Sequence, residues 1–299
     1  RAFVGRVVMD DPSHCPDDYR DASARTGLDG TLDFITFVRA MTGNESALVQ
    51  PMVTPRFIPS CTDQALEGLG NMAGDQQCRV QTHCSEGDWQ HQFVIDRFGH
   101  SDTYMLREFG LLRPGSVLAH ANFLSGPDMQ TIAQEKAGIA HCPLSNAYLA
   151  NSVFPLRQAL DLGLRVGLGT DIAGGPSPSL FENCRYAISS SRMLEDGVDP
   201  ARSAEERGRA GSRIDFMEAY WLATAGGAQV LDIPVGRFEP GCCFDALLVD
   251  PSGPHSNIHC HPGISDTAKA LFQKVLYHLT RSDIRKVWVD GVVVLNQDR

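Results

Sequence analysis

Five side chains that can bind a metal ion or transfer protons follow short apolar segments of the sequence: His83, Glu86, His120, His141 and Asp171. The segments that precede them, each predicted to be a strand, are residues 78–82, 116–119, 138–140 and 165–168. In a parallel α/β barrel the carboxyl ends of the strands share one rim, and catalytic residues collect there. Three imidazoles and two carboxylates at such a rim predict a metal site or an acid–base site.

A zinc ion gives this set of residues a specific chemistry. Zn²⁺ binds imidazole nitrogen and carboxylate oxygen, and a catalytic zinc site keeps one position for water. The ion lowers the pKa of that water toward ~7, which makes hydroxide available at neutral pH. A nearby carboxylate must then move protons between the water and the leaving group. Glu86 stands three residues after His83 and can therefore reach over the ion without binding it.

The elements that position these residues alternate between short apolar segments and longer amphipathic ones. The pattern predicts strands at 2–9, 48–53, 78–82, 116–119, 138–140 and 165–168, and helices at 30–41, 62–73, 89–98, 127–136 and 155–162. This alternation is typical of parallel strands with helical crossovers. A closed (β/α)8 barrel of the TIM type needs eight units, and six are present. Because the chain opens at Arg1 directly in a strand, we expect the first strands of the barrel to lie upstream of it.

The alternation of strands and helices ends after residue 171. Helices are predicted at 181–194 and 214–223, with an exposed loop at 195–213. Two strands at 244–250 and 286–295 and a helix at 265–278 follow, and Asp290-Gly291 is a strong signal for a hairpin turn. We therefore assign residues 1–235 to a barrel and residues 236–299 to part of a small β-rich satellite domain.

Several motifs occur together in the order in which the guanine deaminases of the amidohydrolase superfamily have them, and the chain resembles that family over nearly its whole length. The motifs are Thr-Pro-Arg-Phe at 54–57, Gln-Thr-His-Cys-Ser-Glu at 81–86, Leu-Ala-His at 118–120, Ala-His-Cys-Pro-Leu-Ser-Asn at 140–146 and Val-Gly-Leu-Gly-Thr-Asp-Ile-Ala-Gly-Gly at 166–175. Each motif alone is weak, whereas the ordered set is specific. One departure is Ala121, which follows His120 where the family usually has glycine.

The resemblance implies a metal-dependent hydrolase barrel that holds one Zn²⁺ per subunit. His83 and Asp171 would be two of the ligands. The family's other two ligands come from a His-x-His motif at the end of the first barrel strand, which is absent here and is expected upstream of Arg1.

The resemblance also implies the roles of the remaining site residues. Asp171 would accept a proton from the water, and Glu86 would carry a proton to the purine ring and then to the departing ammonia. His120 would orient the water or the substrate. Arg56, with the backbone at Phe57, would bind the purine edge, and His83, Glu86, His120 and Asp171 would also contact the substrate. The expected reaction converts guanine to xanthine and ammonia.

The composition of the chain limits the kinds of partner that it is expected to bind. A net charge of −10 does not attract phosphate backbones, so we expect no nucleic-acid partner. No apolar run reaches the ~18 residues of a membrane span, so no membrane contact is expected. Nine scattered cysteines, an odd number without a Cys-x-x-Cys pair, indicate free thiols and a cytoplasmic location. The family resemblance implies a homodimer.

Less specific interpretations exist for most of these residues. His83 could be a satisfied core histidine, Asp171 a helix cap, Glu86 a solvated carboxylate at a helix start, and Arg56 half of a structural ion pair. We expect His141 to brace the rim, because Pro143 turns the chain beside it. The segment from His255 to His261 imitates a metal motif but is predicted to be a solvated loop.

Two alternatives to guanine deamination remain at the level of the sequence. The first keeps the chemistry and changes the substrate to 8-oxoguanine, another aminopurine, a pterin or a triazine. The second is a metal-free scaffold protein on the same fold, against which the retained His83, Glu86, His120 and Asp171 argue.

Overall fold

The computed structural model of the chain describes residues 1–261, 263 and 266–297. A parallel sheet of seven strands organises the first part of the chain. Its strands are β1 (Ala2–Val4), β2 (Val7–Val8), β3 (Val49–Pro55), β4 (Arg79–Cys84), β5 (Val117–His120), β6 (Gly138–His141) and β7 (Arg165–Leu168). They follow one another in the order β1, β3, β4, β5, β6, β7, and β2 also pairs with β3. The predicted single strand at 2–9 is therefore two short strands against one neighbour.

This sheet is the curved wall of a barrel, as predicted, and every pairing in it is parallel. Within the described residues no strand pairing joins β7 back to β1. Strands covered on both faces are made mainly of apolar residues, and Val53, Val80, Leu118, Ile139 and Val166 are fully buried. The α/β barrel class read from the sequence is confirmed.

Helices connect the strands and cover the outside of the sheet. They are α1 (Ala24–Arg39), α2 (Asp63–Asp75), α3 (Asp88–Phe98), α4 (Asp102–Glu108), α5 (Gly126–Gln134), α6 (Pro143–Ser145), α7 (Leu156–Asp161), α8 (Leu180–Asp196), α9 (Phe216–Trp221) and α10 (Gly227–Leu231). Serine or threonine caps start several of them, because a side-chain oxygen accepts from a free backbone N–H of the first turn. Ser23 does so for α1, which begins six residues before the predicted start, and Ser101 does so for α4, which the sequence reading missed.

A three-stranded antiparallel sheet forms the last part of the chain. Its strands are β8 (Ala246–Val249), β9 (Ile284–Val289) and β10 (Val292–Asn296), and α11 (Ala268–His278) lies between the first two. The predicted hairpin is confirmed: Asp290 and Gly291 have φ values of 53° and 76°, as a two-residue turn of type I′ requires. The start of the predicted helix at 265–278 falls partly outside the described residues.

Polar contacts tie this sheet and α11 to the barrel. The Arg1 guanidinium binds Asp245 at 2.9 Å and Asp290 at 2.8 Å. Arg185 on α8 donates to the carbonyl of Leu276 at 2.9 Å. The division of the chain at residue 235 stays a prediction. Among the described residues, no helix combines the length and apolar character needed to cross a bilayer.

Helix α10 approaches β7 so closely that only glycine fits between them. A Cβ atom on Gly167 would lie 2.7 Å from the Cα of Gly227 and 3.0 Å from its backbone nitrogen. Both atoms belong to the backbone and cannot rotate away. The contact therefore fixes the position of the strand that precedes Asp171.

We predict that Gly167→Ala lowers the free energy of unfolding by about 1–3 kcal/mol, the usual cost of overpacking. Gly126→Ala is the matched control, because a Cβ there meets no atom within 4 Å and the position is the first residue of α5. Urea unfolding of both variants measures the difference. Equal stability of the two variants would contradict the close approach.

Candidate active site

Three polar side chains converge where the strands of the barrel end. His83 is the next-to-last residue of β4, His120 ends β5, and Asp171 follows β7. The register places Cys84 beside His120 and His83 beside Ala119, so the two histidines share an edge of the sheet. One ligand atom each from His83, His120 and Asp171 lie within 4.8 Å of one another. The structure therefore brings together three of the five residues singled out first in the sequence, in an arrangement able to share an ion.

His83 is held as the tautomer that suits a metal ligand. Its Nδ1 lies 2.6 Å from the carbonyl oxygen of Arg56, and because a carbonyl only accepts, Nδ1 carries the proton. Nε2 is left with its lone pair. Burial lowers the pKa of the imidazole, and the neighbouring His120 lowers it further. A neutral imidazole with one nitrogen free is the form that binds zinc.

His120 is buried completely, and its Nε2 has no hydrogen-bond partner among the described residues. The ring stacks on His83 with centroids 5.4 Å apart, and Nε2 lies 3.7 Å from a carboxylate oxygen of Glu86. Nδ1 faces the side-chain oxygen of Asn146 at 2.9 Å. A buried nitrogen without a partner beside His83 and Asp171 fits a metal ion or a water held next to one. The donor set present suits zinc.

Asp171 is oriented by a residue that the sequence reading did not assign. The Ser145 hydroxyl donates to its Oδ2 at 2.6 Å, which leaves Oδ1 for a metal ion or a proton. Ser145 is fully buried and stands in the motif at 140–146, so its place in that motif was the available signal. The helix-cap alternative for Asp171 does not hold, because Ser179 caps the following helix, α8.

A buried carboxylate holds the turn that carries Glu86. Asp102 accepts from the Ser85 hydroxyl at 3.0 Å, from its backbone N–H at 3.3 Å and from Gln90 at 3.0 Å. Ser85 has a left-handed φ of 43°, so these bonds stabilise a conformation that serine rarely adopts. Burial raises the pKa of Asp102, and the three donors oppose that rise. Glu86 itself is half-buried, with its carboxylate directed at His120.

Arg56 and Phe57 lie beside His83. The Arg56 guanidinium lies over the Phe57 ring at 5.1 Å and is partly exposed. In the part of the chain that the structure describes it has no ion pair with a carboxylate, unlike the structural alternative considered above. Phe57 lies 6.5 Å from the ring of His83 and 6.2 Å from that of Trp89. Trp89 is 57% exposed, and nothing in its sequence surroundings singled it out.

Other candidate histidines lie apart from this group. The only set of three or more ligand residues that the described part of the chain brings together is His83, His120 and Asp171, so neither His141 nor the histidines from His255 to His261 join it. His141 is 2% exposed and packs on Phe154 with centroids 5.2 Å apart. Burial, with a smaller contribution from His120, lowers its pKa to about 3. All nine cysteines are unpaired, as predicted.

Comparisons with known proteins point to one family. The model of the amidohydrolase family matches residues 1–294. The chain is 34% identical over 297 residues to guanine deaminase of Dictyostelium discoideum, with 97% of this chain and 62% of that protein covered. It is 34% identical over 299 residues to a probable guanine deaminase of Schizosaccharomyces pombe, with 98% and 54% covered. The chain thus spans less than two thirds of these relatives.

Solved structures agree in fold. Guanine deaminase from C. acetobutylicum, with guanine bound in its active site, superposes with a TM-score of 0.82 at 30% identity, covering 98% of this chain and 65% of that one. E. coli guanine deaminase gives a TM-score of 0.83 at 23% identity over 99% of this chain and 64% of its own, which speaks for the fold alone.

We predict that His141→Gln makes folding stability less sensitive to acid. The pKa of His141 is about 3 in the folded chain against 6.5 for an ordinary histidine, so between these values the unfolded state binds one more proton. The contribution of His141 to the free energy of unfolding is fully present above pH ~6.5. It falls by about 1.4 kcal/mol for each pH unit below that value.

Urea unfolding between pH 6.5 and 4.5 measures the effect, and the variant's curve should be shallower by that slope. Parallel curves for the variant and the unsubstituted chain would show that His141 takes up protons equally in both states.

Proposed function

The chain belongs to the amidohydrolase family, and we propose that it catalyses the zinc-dependent hydrolytic deamination of guanine to xanthine and ammonia. The observation that carries the proposal is the convergence of His83, His120 and Asp171 within 4.8 Å, with the Glu86 carboxylate 3.7 Å from His120. A group of metal ligands beside a carboxylate is the arrangement that hydrolytic deamination needs. The similarity to guanine deaminases supports the choice of substrate.

His83 and Asp171 are the residues that would hold zinc, one ion per subunit. Zinc supplies, when bound, a lowered pKa for a coordinated water. The free Nε2 of His83 and the free Oδ1 of Asp171 suit this role, because Arg56 and Ser145 occupy the other polar atom of each side chain.

The remaining residues handle the water and the protons. The unpartnered Nε2 of His120 accepts a hydrogen bond from the attacking water and so orients it. Asp171 takes up a proton from that water at its carboxylate. Glu86 delivers a proton to the purine ring and then to the departing ammonia, so that one water is consumed for each ammonia released. Its half-buried carboxylate lies 3.7 Å from the Nε2 of His120.

Arg56 and the backbone at Phe57 bind the purine edge. The guanidinium has donors to spare, since within the described part of the chain its contacts are the Phe57 ring and the sulfur of Met9 at 3.5 Å. A planar fork of donors matches the carbonyl and ring-nitrogen acceptors of a purine. On the family resemblance we extend the proposal to a homodimer. The unpaired cysteines support a cytoplasmic location.

The substrate is tested by incubating the full-length protein, with zinc analysed, against guanine, 8-oxoguanine, a pterin and a triazine while ammonia release is followed. Guanine should be turned over with the highest kcat/KM. Turnover of another ring with guanine ignored would overturn the substrate assignment. A protein that stays metal-free after zinc addition and releases no ammonia would favour a scaffold.

Glu86→Gln should keep the metal and lower kcat by about 10²–10⁴-fold, because the proton carrier is removed while the ligands remain. Asp171→Ala should lose both metal and turnover. Metal content and ammonia release measure the two effects, and Asp88→Asn, which removes an exposed carboxylate two residues from Glu86, is the matched control. Near-normal activity of Glu86→Gln would remove Glu86 from the mechanism.

A further inference from the structure

Two buried asparagine amides connect the turn of Glu86 to the ring of His120. The Nδ2 of Asn122 donates to the backbone carbonyl of Glu86 at 2.8 Å. The Nδ2 of Asn146 donates to the Oδ1 of Asn122 at 2.7 Å, and the Oδ1 of Asn146 faces the Nδ1 of His120 at 2.9 Å. Asn122 is 8% exposed and Asn146 1% exposed, so water does not compete for these bonds.

The backbone carbonyl of Glu86 determines which atom donates in each of these hydrogen bonds. A carbonyl oxygen only accepts, so Asn122 must turn its NH₂ group toward Glu86 and its oxygen toward Asn146. Asn146 must then present its NH₂ group to Asn122 and its oxygen to His120. Reversing Asn122 would place its oxygen against the Glu86 carbonyl, and reversing Asn146 would place its oxygen against the Oδ1 of Asn122. The Nδ1 of His120 is therefore a donor.

A second contact supports the same orientation of Asn146. Its Nδ2 also lies 3.4 Å from the Nδ1 of His141, a ring that burial keeps neutral and able to accept. The backbone ties the two strand ends together as well, since the N–H of Asn122 donates to the carbonyl of Ser85 at 3.0 Å and that of Ala121 to Cys84 at 2.9 Å. The amide chain thus joins residues that follow three strands, β4, β5 and β6, and backbone hydrogen bonds fix the spacing of the first two strand ends.

We propose that Asn122 and Asn146 are positioning residues that hold His120 as the tautomer protonated at Nδ1. Nε2 must then carry the lone pair. It lies beside the Glu86 carboxylate and has no hydrogen-bond partner in the described chain. A lone pair there accepts from a water, whereas a proton there would repel the water's hydrogens and bind Glu86 instead. The part that concerns turnover rests on the function proposed above; the tautomer does not.

The tautomer is measured directly by NMR of the zinc-loaded full-length protein with ¹⁵N-labelled histidine. A proton on Nδ1 of His120 should appear as a one-bond coupling and a pyrrole-like ¹⁵N shift, with no such coupling at Nε2. Asn146→Ala removes the acceptor and should give a mixture of tautomers. Asn146→Asp keeps an oxygen toward His120 and should retain the proton on Nδ1.

Kinetics separates positioning from packing. Asn146→Ala should lower kcat about 10–100-fold, the cost of losing the hydrogen-bond partner that orients a histidine in metal sites, and should change KM much less. Asn146→Asp should recover part of that loss. Asn183→Ala, which removes a fully buried amide from α8, is the control and should alter neither kcat nor the His120 signals.

A proton on Nε2 in the unsubstituted protein, or an unchanged tautomer in Asn146→Ala, would overturn the proposal. Either result can be obtained from a protein that ignores guanine, so failure of the proposed function is distinguishable from failure of the amide chain. Conversely, guanine turnover with the wrong tautomer would leave the function intact and remove the positioning role.

Discussion

The site depends on a buried nitrogen that the folded chain leaves without a partner. An unsatisfied buried polar group costs about 1–3 kcal/mol of folding free energy. Nε2 of His120 is such an atom within the described residues, and the polar atoms around it are satisfied by Asn122, Asn146 and the Glu86 carbonyl. The ring therefore cannot rotate to relieve its own deficit. The unpartnered Nε2 of His120 is therefore a position at which a water or a metal ion can bind.

The register of the parallel strands places that position among the other functional groups. His83 pairs with Ala119 and Cys84 with His120, while His141 pairs with Leu168 two strands along. Sliding one strand by a single residue would turn its side chains to the opposite face of the sheet. The glycine contact between β7 and α10 matters for the same reason, since it fixes the strand that leads into Asp171. Packing between β7 and α10 thus helps to set the position of Asp171 in the candidate site.

Patterns local in the sequence were sufficient to predict the barrel strands, the hairpin at Asp290-Gly291 and the grouping of His83 with Asp171. Each depends on residues close together in the chain or on the shared edge of parallel strands. The orientation of Asp171 by Ser145 and the amide pair Asn122–Asn146 join residues more than twenty positions apart, in different loops. Such contacts depend on register and on loop path, which periodicity does not encode. Helix α4 was missed because it is one short amphipathic segment placed directly after another.

Left-handed backbone conformations at the strand ends help to bring the candidate site residues together. Ser85, His120, Ala121 and Asp171 all have left-handed φ values, between 43° and 70°. Each such residue costs on the order of 1 kcal/mol unless its surroundings hold it. The conformation turns the chain sharply as it leaves the strand. Ala121 adopts a φ of 57° with its methyl group fully buried. The backbone N–H groups of Ala121 and Asn122 donate to the carbonyls of Cys84 and Ser85 and hold this turn. The end of β4, which leads into Glu86, therefore stabilises the strained backbone conformation that orients His120.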